Sequence, residues 1–90
     1  MSSVHLVFTS NGVRPLSSLA EGAQGVVAEV LAHPRMRTDR LLALGVTPGA
    51  VVRVLQTFPG VVFLCDQTEL AVERSVADAI LVRLPPEVRR

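Results

Sequence analysis

The 90-residue sequence has few of the residues on which several classes of protein depend. It contains no Trp, no Tyr and three Phe, so the aromatic platforms on which single-stranded nucleic acids stack are largely missing. Nine Lys and Arg face eight Asp and Glu, which gives a formal net charge of +1 rather than the basic excess of nucleic-acid-binding domains. We therefore expect no nucleic acid among its partners.

Long apolar runs, a secretory signal and paired cysteines are missing as well. A charge, Gly or Pro interrupts each apolar run before the roughly 18 to 20 residues that a membrane-spanning helix needs. The N-terminus has neither the cationic start nor the apolar stretch of a secretory signal, and the lone Cys65 cannot form an intramolecular disulfide. These absences predict a cytoplasmic protein with no direct membrane insertion.

The residues that are present indicate one folded domain. Apolar residues make up 49% of the sequence and charged residues 19%, and a chain of this length has room for a single modest core. Short alternating segments between Pro- and Gly-containing turns predict about five strands, one short helix and a further helical turn. Because no segment could supply crossover helices, the expected fold is mainly β, a small antiparallel barrel.

The phase of each predicted strand indicates which side chains enter the core. The strand after Gly25 is expected to place Val26 on its inner face and Val27 on its outer face. Cys65 falls on an inner face and is expected to be a small buried side chain rather than a reactive thiol. Five aliphatic residues fall on outer faces, which is more than a small barrel should place there: Val27, Leu31, Val51, Leu55 and Leu81.

Two interpretations of these outer aliphatic residues remain open. They either pack under the N-terminal segment and the short helix, or form with Leu42 an apolar patch that docks a partner or a second copy.

The most specific pattern in the sequence lies between residues 40 and 49. Gly45 is expected to end a short helix in the left-handed conformation, and Pro48 followed by Gly49 is the signature of a type II turn. Leu41 and Leu44, three residues apart, are expected to place one face of this helix on the barrel. A second Pro-Gly pair, at 59–60, predicts another turn of the same kind.

This pattern resembles the FeoA family, the small SH3-like accessory proteins of bacterial ferrous-iron transport. The resemblance extends over roughly residues 15 to 83 and implies an SH3-like barrel at 15–84, after an N-terminal strand or arm at 1–14 and before a tail at 85–90. Gln67 and Glu73 depart from the family pattern, which often has Gly and Arg near those positions. Arg40 matches the family pattern, and the matching residues with a structural role are Leu16, Leu19, Gly22, Leu41, Leu44, Gly45, Pro48 and Gly49.

The same resemblance implies a non-catalytic accessory protein of iron homeostasis. Its expected partner is the cytosolic G-protein domain of a FeoB-type ferrous-iron transporter, which would hold it at the inner membrane. An SH3-like regulatory domain acting with a metal-dependent transcription regulator, and a self-assembling module that forms homo-oligomers, are the alternatives. The candidate partner-binding residues are Arg40, Leu42, Val51, Arg53, Leu55 and Glu73.

Residues capable of metal ligation or nucleophilic catalysis are scattered. His5, His33 and Cys65 are the soft-ligand candidates, and no two of them have the spacing of a zinc site. The sequence lacks a nucleophile-elbow motif and a Gly-rich phosphate loop. Ser17, Ser18 and Ser75 are better explained as turn and helix-capping residues. We expect no metal site, no cofactor and no catalytic residue.

Overall fold

The computed structural model describes residues 12–34 and 38–85. Six strands form one antiparallel sheet, which confirms the mainly β prediction. The predicted N-terminal strand lies outside these residues, except at its end. The strands are β1 (Val13–Pro15), β2 (Gln24–Val30), β3 (Val51–Gln56), β4 (Val61–Cys65), β5 (Thr68–Val72) and β6 (Ile80–Arg83). A short 3-10 helix (Leu16–Ser18) follows β1, α1 (Thr38–Ala43) follows β2, and α2 (Arg74–Ala77) follows β5.

The six strands of the sheet surround one core. The order β1-β6-β2-β3-β4-β5 places the last strand beside β2, and β1 and β5 form the two edges. Inner side chains from β2 to β6 meet in one buried cluster around Phe63, and Leu16, Leu41 and Val76 close it from the three helical segments. This arrangement is the predicted SH3-like barrel.

The prediction for the faces of β2 is wrong in its first half. Val27 is 2% exposed and belongs to the core, whereas Val26 is 40% exposed. Farther along the strand, Val30 packs against the core, as the alternation predicted. The inner face therefore changes from odd-numbered to even-numbered residues within one strand.

A β-bulge at Ala28 causes this change. Val27 is paired with Val82 on β6, but Glu29 is paired with Leu81, the next residue along, so Ala28 is an extra residue. The strand alternates normally on each side of the bulge, with opposite phases. A single alternation applied to all seven residues of β2 therefore assigns the inner and outer faces correctly on only one side of the bulge.

α1 ends in a Schellman motif that changes the expected role of Leu44. Gly45 has a φ of 98°, its N–H donates to the carbonyl of Leu42, and the Val46 N–H donates to the carbonyl of Leu41, both at 3.0 Å. This motif brings Leu41 and Val46 together in the core, at 2% and 0% exposed. Leu44 is 46% exposed, so the prediction that it packs on the barrel is wrong.

The turn before β3 has the predicted geometry. Gly49 has a φ of 97°, and the Ala50 N–H donates to the carbonyl of Thr47 at 2.9 Å, as in a type II turn. The Gly49 N–H also donates to the carbonyl of Val27 at 2.8 Å. The turn is therefore anchored to β2 as it leads the chain into β3.

The second Pro-Gly pair forms a different turn, so that prediction is wrong. The peptide bond before Pro59 is cis, and Gly60 does not adopt a positive φ. Glycine is required at position 60 for space, because a Cβ there would lie 2.7 Å from the carbonyl oxygen of Val72.

Arg74 connects three segments at one end of the barrel. Its guanidinium donates hydrogen bonds to the backbone carbonyls of Thr57 and of Ser17. The Ser17 hydroxyl in turn donates to the carboxylate of Asp78. These bonds hold the 3-10 helix, the β3–β4 loop and α2 together.

Candidate interaction surface

The outer face of β3 carries three of the predicted partner-binding residues. Val51, Arg53 and Leu55 are exposed, while Val52 and Val54 between them are buried, which confirms the alternation predicted for this strand. Leu55 lies at a second bulge, between the residues of β3 that pair with β4. The face therefore presents a valine, an arginine and a leucine in sequence.

Neighbouring strands extend this face. Val51 is paired with Val26 of β2, and Val26 is paired on its other side with Arg83 of β6. Arg53 is paired with Gln24, one step along the same two strands. Because directly opposed residues of antiparallel strands share a face, the two valines form an exposed apolar pair between two arginines.

A shallow groove of about 300 Å³ lies at this apolar pair. Gly25, in the floor, has no room for a side chain, because a Cβ would lie 2.5 Å from a methyl carbon of Val82. The absence of that side chain lets β2 approach β6 closely, which brings Val26 and Arg83 side by side. The groove is lined by Gln24, Gly25, Val26, Val51, Arg83, Leu84 and Pro85.

Two arginines set the charge of this surface: Arg83 lines the groove, and Arg53 lies beside it, paired with Gln24. In residues 12–34 and 38–85, neither Arg53 nor Arg83 has an ion-pair partner or a side-chain hydrogen bond. The carboxylate of Asp66 lies beyond Val51, where an oxygen accepts from the Val51 N–H at 3.3 Å. The surface thus has one available guanidinium on each side of the apolar Val26–Val51 pair.

The other predicted contact residues lie on separate elements. Arg40 and Leu42 are exposed on α1, and Leu42 is 41% exposed. Glu73 is exposed at the N-cap position of α2, with a carboxylate oxygen 3.5 Å from the hydroxyl of Ser75. Ser75 lies inside α2, so the prediction that it caps this helix is wrong.

Sequence reasoning missed Val26 and Arg83 as members of the surface. The bulge hid Val26, because the assumed strand phase placed it in the core. The outer position of Arg83 was visible in the alternation of β6, but its proximity to Val51 depends on the placement of β6 beside β2. Of the remaining outer aliphatic residues, Leu31 is 41% exposed and Leu81 is half-buried.

The predicted ligand candidates form no site in the described part of the chain. Cys65 is 2% exposed, and its thiol donates to the carbonyl of Gly45 at 3.2 Å. Burial, and secondarily the nearby Asp66 carboxylate, raise the pKa of this thiol, which disfavours the thiolate that metals and electrophiles require. No three His, Cys, Asp or Glu side chains among the described residues are grouped to hold a metal ion, and His5 lies outside those residues.

The fold and its exposed, shallow surface define a small SH3-like barrel domain. The family model described as the FeoA domain matches residues 14–84. The chain therefore belongs to the FeoA family, whose members take part in ferrous iron transport.

Solved structures agree with this assignment. The chain is 29% identical to an iron uptake regulatory protein FeoA, with a TM-score of 0.69 over 79% of this chain and 96% of that one. It is 31% identical to the FeoA protein from Chlorobium tepidum, with a TM-score of 0.73 over 83% and 73% of the two chains. No curated protein matches the chain.

A manganese-dependent transcriptional repressor contains a similar domain. The identity is 25% and the TM-score 0.72, over 81% of this chain and 42% of the repressor.

In the part of the chain that the structure describes, no helix is long and apolar enough to cross a membrane.

Proposed function

We propose that this chain is a non-catalytic interaction module of ferrous-iron uptake, which binds and modulates the cytosolic G-protein domain of a FeoB-type transporter at the inner membrane. The observation that carries the proposal is the exposed Val26–Val51 pair between two available arginines on the outer face of the sheet. Membership of the FeoA family supports the choice of transport system.

The exposed pair is suited to a protein contact. Val26 and Val51 keep 40% and 45% of their surface exposed although they sit side by side, so a partner can cover both at once. Burying apolar surface contributes about 25 cal/mol per Å². A specific interface needs about 1,000 Å² or more, so the contact must extend from the groove over neighbouring residues such as Arg53 and Leu64.

The direct test is titration of the purified cytosolic G-protein domain of the host's ferrous-iron transporter into this protein by calorimetry. The V51E variant places a charge in the apolar pair and should weaken binding about tenfold or more, since an unpaired charge is costly to bury in an interface. The matched control is L31E, because Leu31 is 41% exposed, is also aliphatic and directly follows β2, at the end of the strand away from Gln24.

Both variants should retain the unfolding temperature of the parent, because their side chains are already exposed. Binding that survives V51E and is lost in L31E would move the interface away from the outer face of β3. No heat of binding by the parent protein at concentrations up to about 100 μM would contradict the proposed function.

A second candidate is an SH3-like regulatory domain that acts with a metal-dependent transcription regulator. The likeness to the manganese-dependent repressor favours it. The test is a gel shift at low salt with the promoter DNA of the host's metal-dependent repressor, with and without that repressor. No change in the repressor's DNA affinity on adding this chain would dispose of this candidate. Light scattering over a concentration series separately tests assembly into homo-oligomers.

A further inference from the structure

We propose that the groove between β6, β2 and β3 binds an extended acidic segment of a partner protein, with the pattern acidic-x-aliphatic-x-acidic. The aliphatic side chain lies over Gly25 and the Val26–Val51 pair, and the two carboxylates pair with Arg53 and Arg83. The inference rests on the proposed function in that it describes the segment through which such a partner engages this surface.

The spacing of the two arginines determines the pattern. Arg83 lies two strands from Val51, and Arg53 lies two residues along β3 from Val51. With about 4.8 Å between strands and about 3.4 Å per residue, the two Cα atoms are separated diagonally by about 12 Å. An extended chain covers about 13 Å from residue i to i+4, with the intervening i+2 side chain on the same face.

The floor under the middle of this diagonal accepts an aliphatic group. The line from Arg53 to Arg83 crosses β2 between Gln24 and Val26, above Gly25. A side chain at position 25 would point into the core toward Val82, so the backbone alone forms the floor here, and the groove of about 300 Å³ opens above it. A Leu or Val at the central position of the segment therefore finds apolar walls on β2 and β3.

Charge complementarity selects an acidic occupant. Both guanidiniums lack ion-pair partners within the described residues, and no acidic side chain lines the groove. Asp66 is the acid at the far side of Val51, and it is engaged with the Val51 backbone. Arginine binds carboxylates through two parallel hydrogen bonds, which favours a peptide carboxylate over a diffuse anion.

The test uses the ¹⁵N-labelled full chain and three capped peptides: Glu-Ser-Leu-Ser-Glu, Gln-Ser-Leu-Ser-Gln and Glu-Ser-Ser-Ser-Glu. The first should shift the backbone amides of Val26, Val51 and Arg83 with a dissociation constant on the order of 1 mM. Each of the other two should bind about fivefold more weakly, because each lacks one half of the pattern. Binding of the first should weaken further as salt is raised, since the charge pairs are exposed.

Variants of this protein provide the complementary measurement. R53Q/R83Q should weaken binding of the first peptide about fivefold to tenfold, because two exposed charge pairs are lost. The matched control is R14Q, since Arg14 is also exposed but is paired with the inward-facing Val82 and so lies on the opposite face of the sheet.

The outcomes separate this inference from the proposed function. Equal binding of the Glu and Gln peptides, shifts confined to other residues, or no shifts at several millimolar peptide would overturn the acidic-segment inference even if the transporter domain binds. Selective binding of the first peptide together with no binding of the transporter domain would support the groove specificity and contradict the proposed partner. Stronger shifts of the same amides by a short thymidine oligonucleotide would reassign the surface to nucleic acid and overturn the inference.

Discussion

The thiol of Cys65 donates a hydrogen bond to the backbone carbonyl of Gly45 across 3.2 Å. Gly45 ends α1 and Cys65 ends β4, so this bond connects the helix terminus to the sheet at a distance of twenty residues in sequence. Gly45 lies just beyond α1, and its carbonyl accepts both this bond and one from the Thr47 N–H at 3.0 Å. The cysteine is therefore part of the packing beneath the Schellman motif.

The first prediction concerns the reactivity of Cys65. Because burial and the Asp66 carboxylate raise its pKa, the thiol should react with iodoacetamide at neutral pH far more slowly in the native protein than in denaturant. Mass spectrometry after timed quenching measures both rates. A native rate equal to the denatured rate would contradict the buried position.

The same pKa shift predicts a loss of stability at alkaline pH. The native state retains the proton more strongly than the unfolded state, so the stabilising contribution is fully present below the pKa of an unfolded cysteine and is lost as pH rises through the native pKa. The free energy of unfolding should therefore decrease above about pH 8.5. Urea unfolding of the parent and of C65A at a series of pH values from neutral to alkaline measures this decrease. The variant should lose the part of the pH dependence that the thiol contributes.

The second prediction compares Leu41, inside α1, with Leu44, the residue that follows α1. L41A should lower the free energy of unfolding by about 3 kcal/mol, because it empties a core position. L44A should change it by less than about 0.5 kcal/mol, because Leu44 is 46% exposed beyond the helix end. Urea unfolding of both variants provides the comparison. A loss of unfolding free energy in L44A that is larger than the loss in L41A would mean that Leu44, rather than Val46, packs the end of α1 against the core.

The third prediction concerns Gly25. In G25A the new methyl would lie 2.5 Å from a Val82 methyl carbon and 2.8 Å from the Arg83 carbonyl oxygen, so β2 and β6 must move apart. We expect a loss of about 2 kcal/mol in unfolding free energy. G12A is the control, because a Cβ at Gly12 meets nothing closer than 3.8 Å. Equal stability of the two variants would contradict the close approach of these strands.

The fourth prediction concerns the guanidinium of Arg74. R74A removes hydrogen bonds to the Thr57 and Ser17 carbonyls and should reduce stability by about 1 kcal/mol. R74K should recover less than the full amount, because an ammonium cannot present the planar fork that reaches both carbonyls. R14A is the control for loss of an exposed arginine. Thermal unfolding of the three variants tests whether the bridge stabilises this end of the barrel.

Local patterns in the sequence were sufficient for much of the fold. Strict alternation identified the inner and outer residues of β3, and the Pro48–Gly49 pair determined the turn that leads into it. These features depend on interactions between near neighbours, which a sequence displays directly.

The errors at β2 and at the second Pro-Gly pair came from features that depend on distant parts of the chain. The bulge at Ala28 reflects the register of β2 against β6, and Gly60 is dictated by the approach of Val72. Half of the candidate surface also depends on distant parts of the chain. Val51 and Arg53 were found from their own strand, whereas Val26 and Arg83 join them through pairing across the sheet.

The row formed by Arg83, Val26 and Val51 makes recognition dependent on the native state. Its members come from the end, the beginning and the middle of the domain, and they become neighbours when β6 pairs with β2 and β2 with β3. A ligand of this row has no counterpart surface on the unfolded chain, so its binding free energy adds to the free energy of unfolding. At a ligand concentration of 100 times the dissociation constant, this linkage amounts to about 2.7 kcal/mol. For a domain with so small a core, occupancy of the outer face would then be a substantial determinant of its lifetime in the cell.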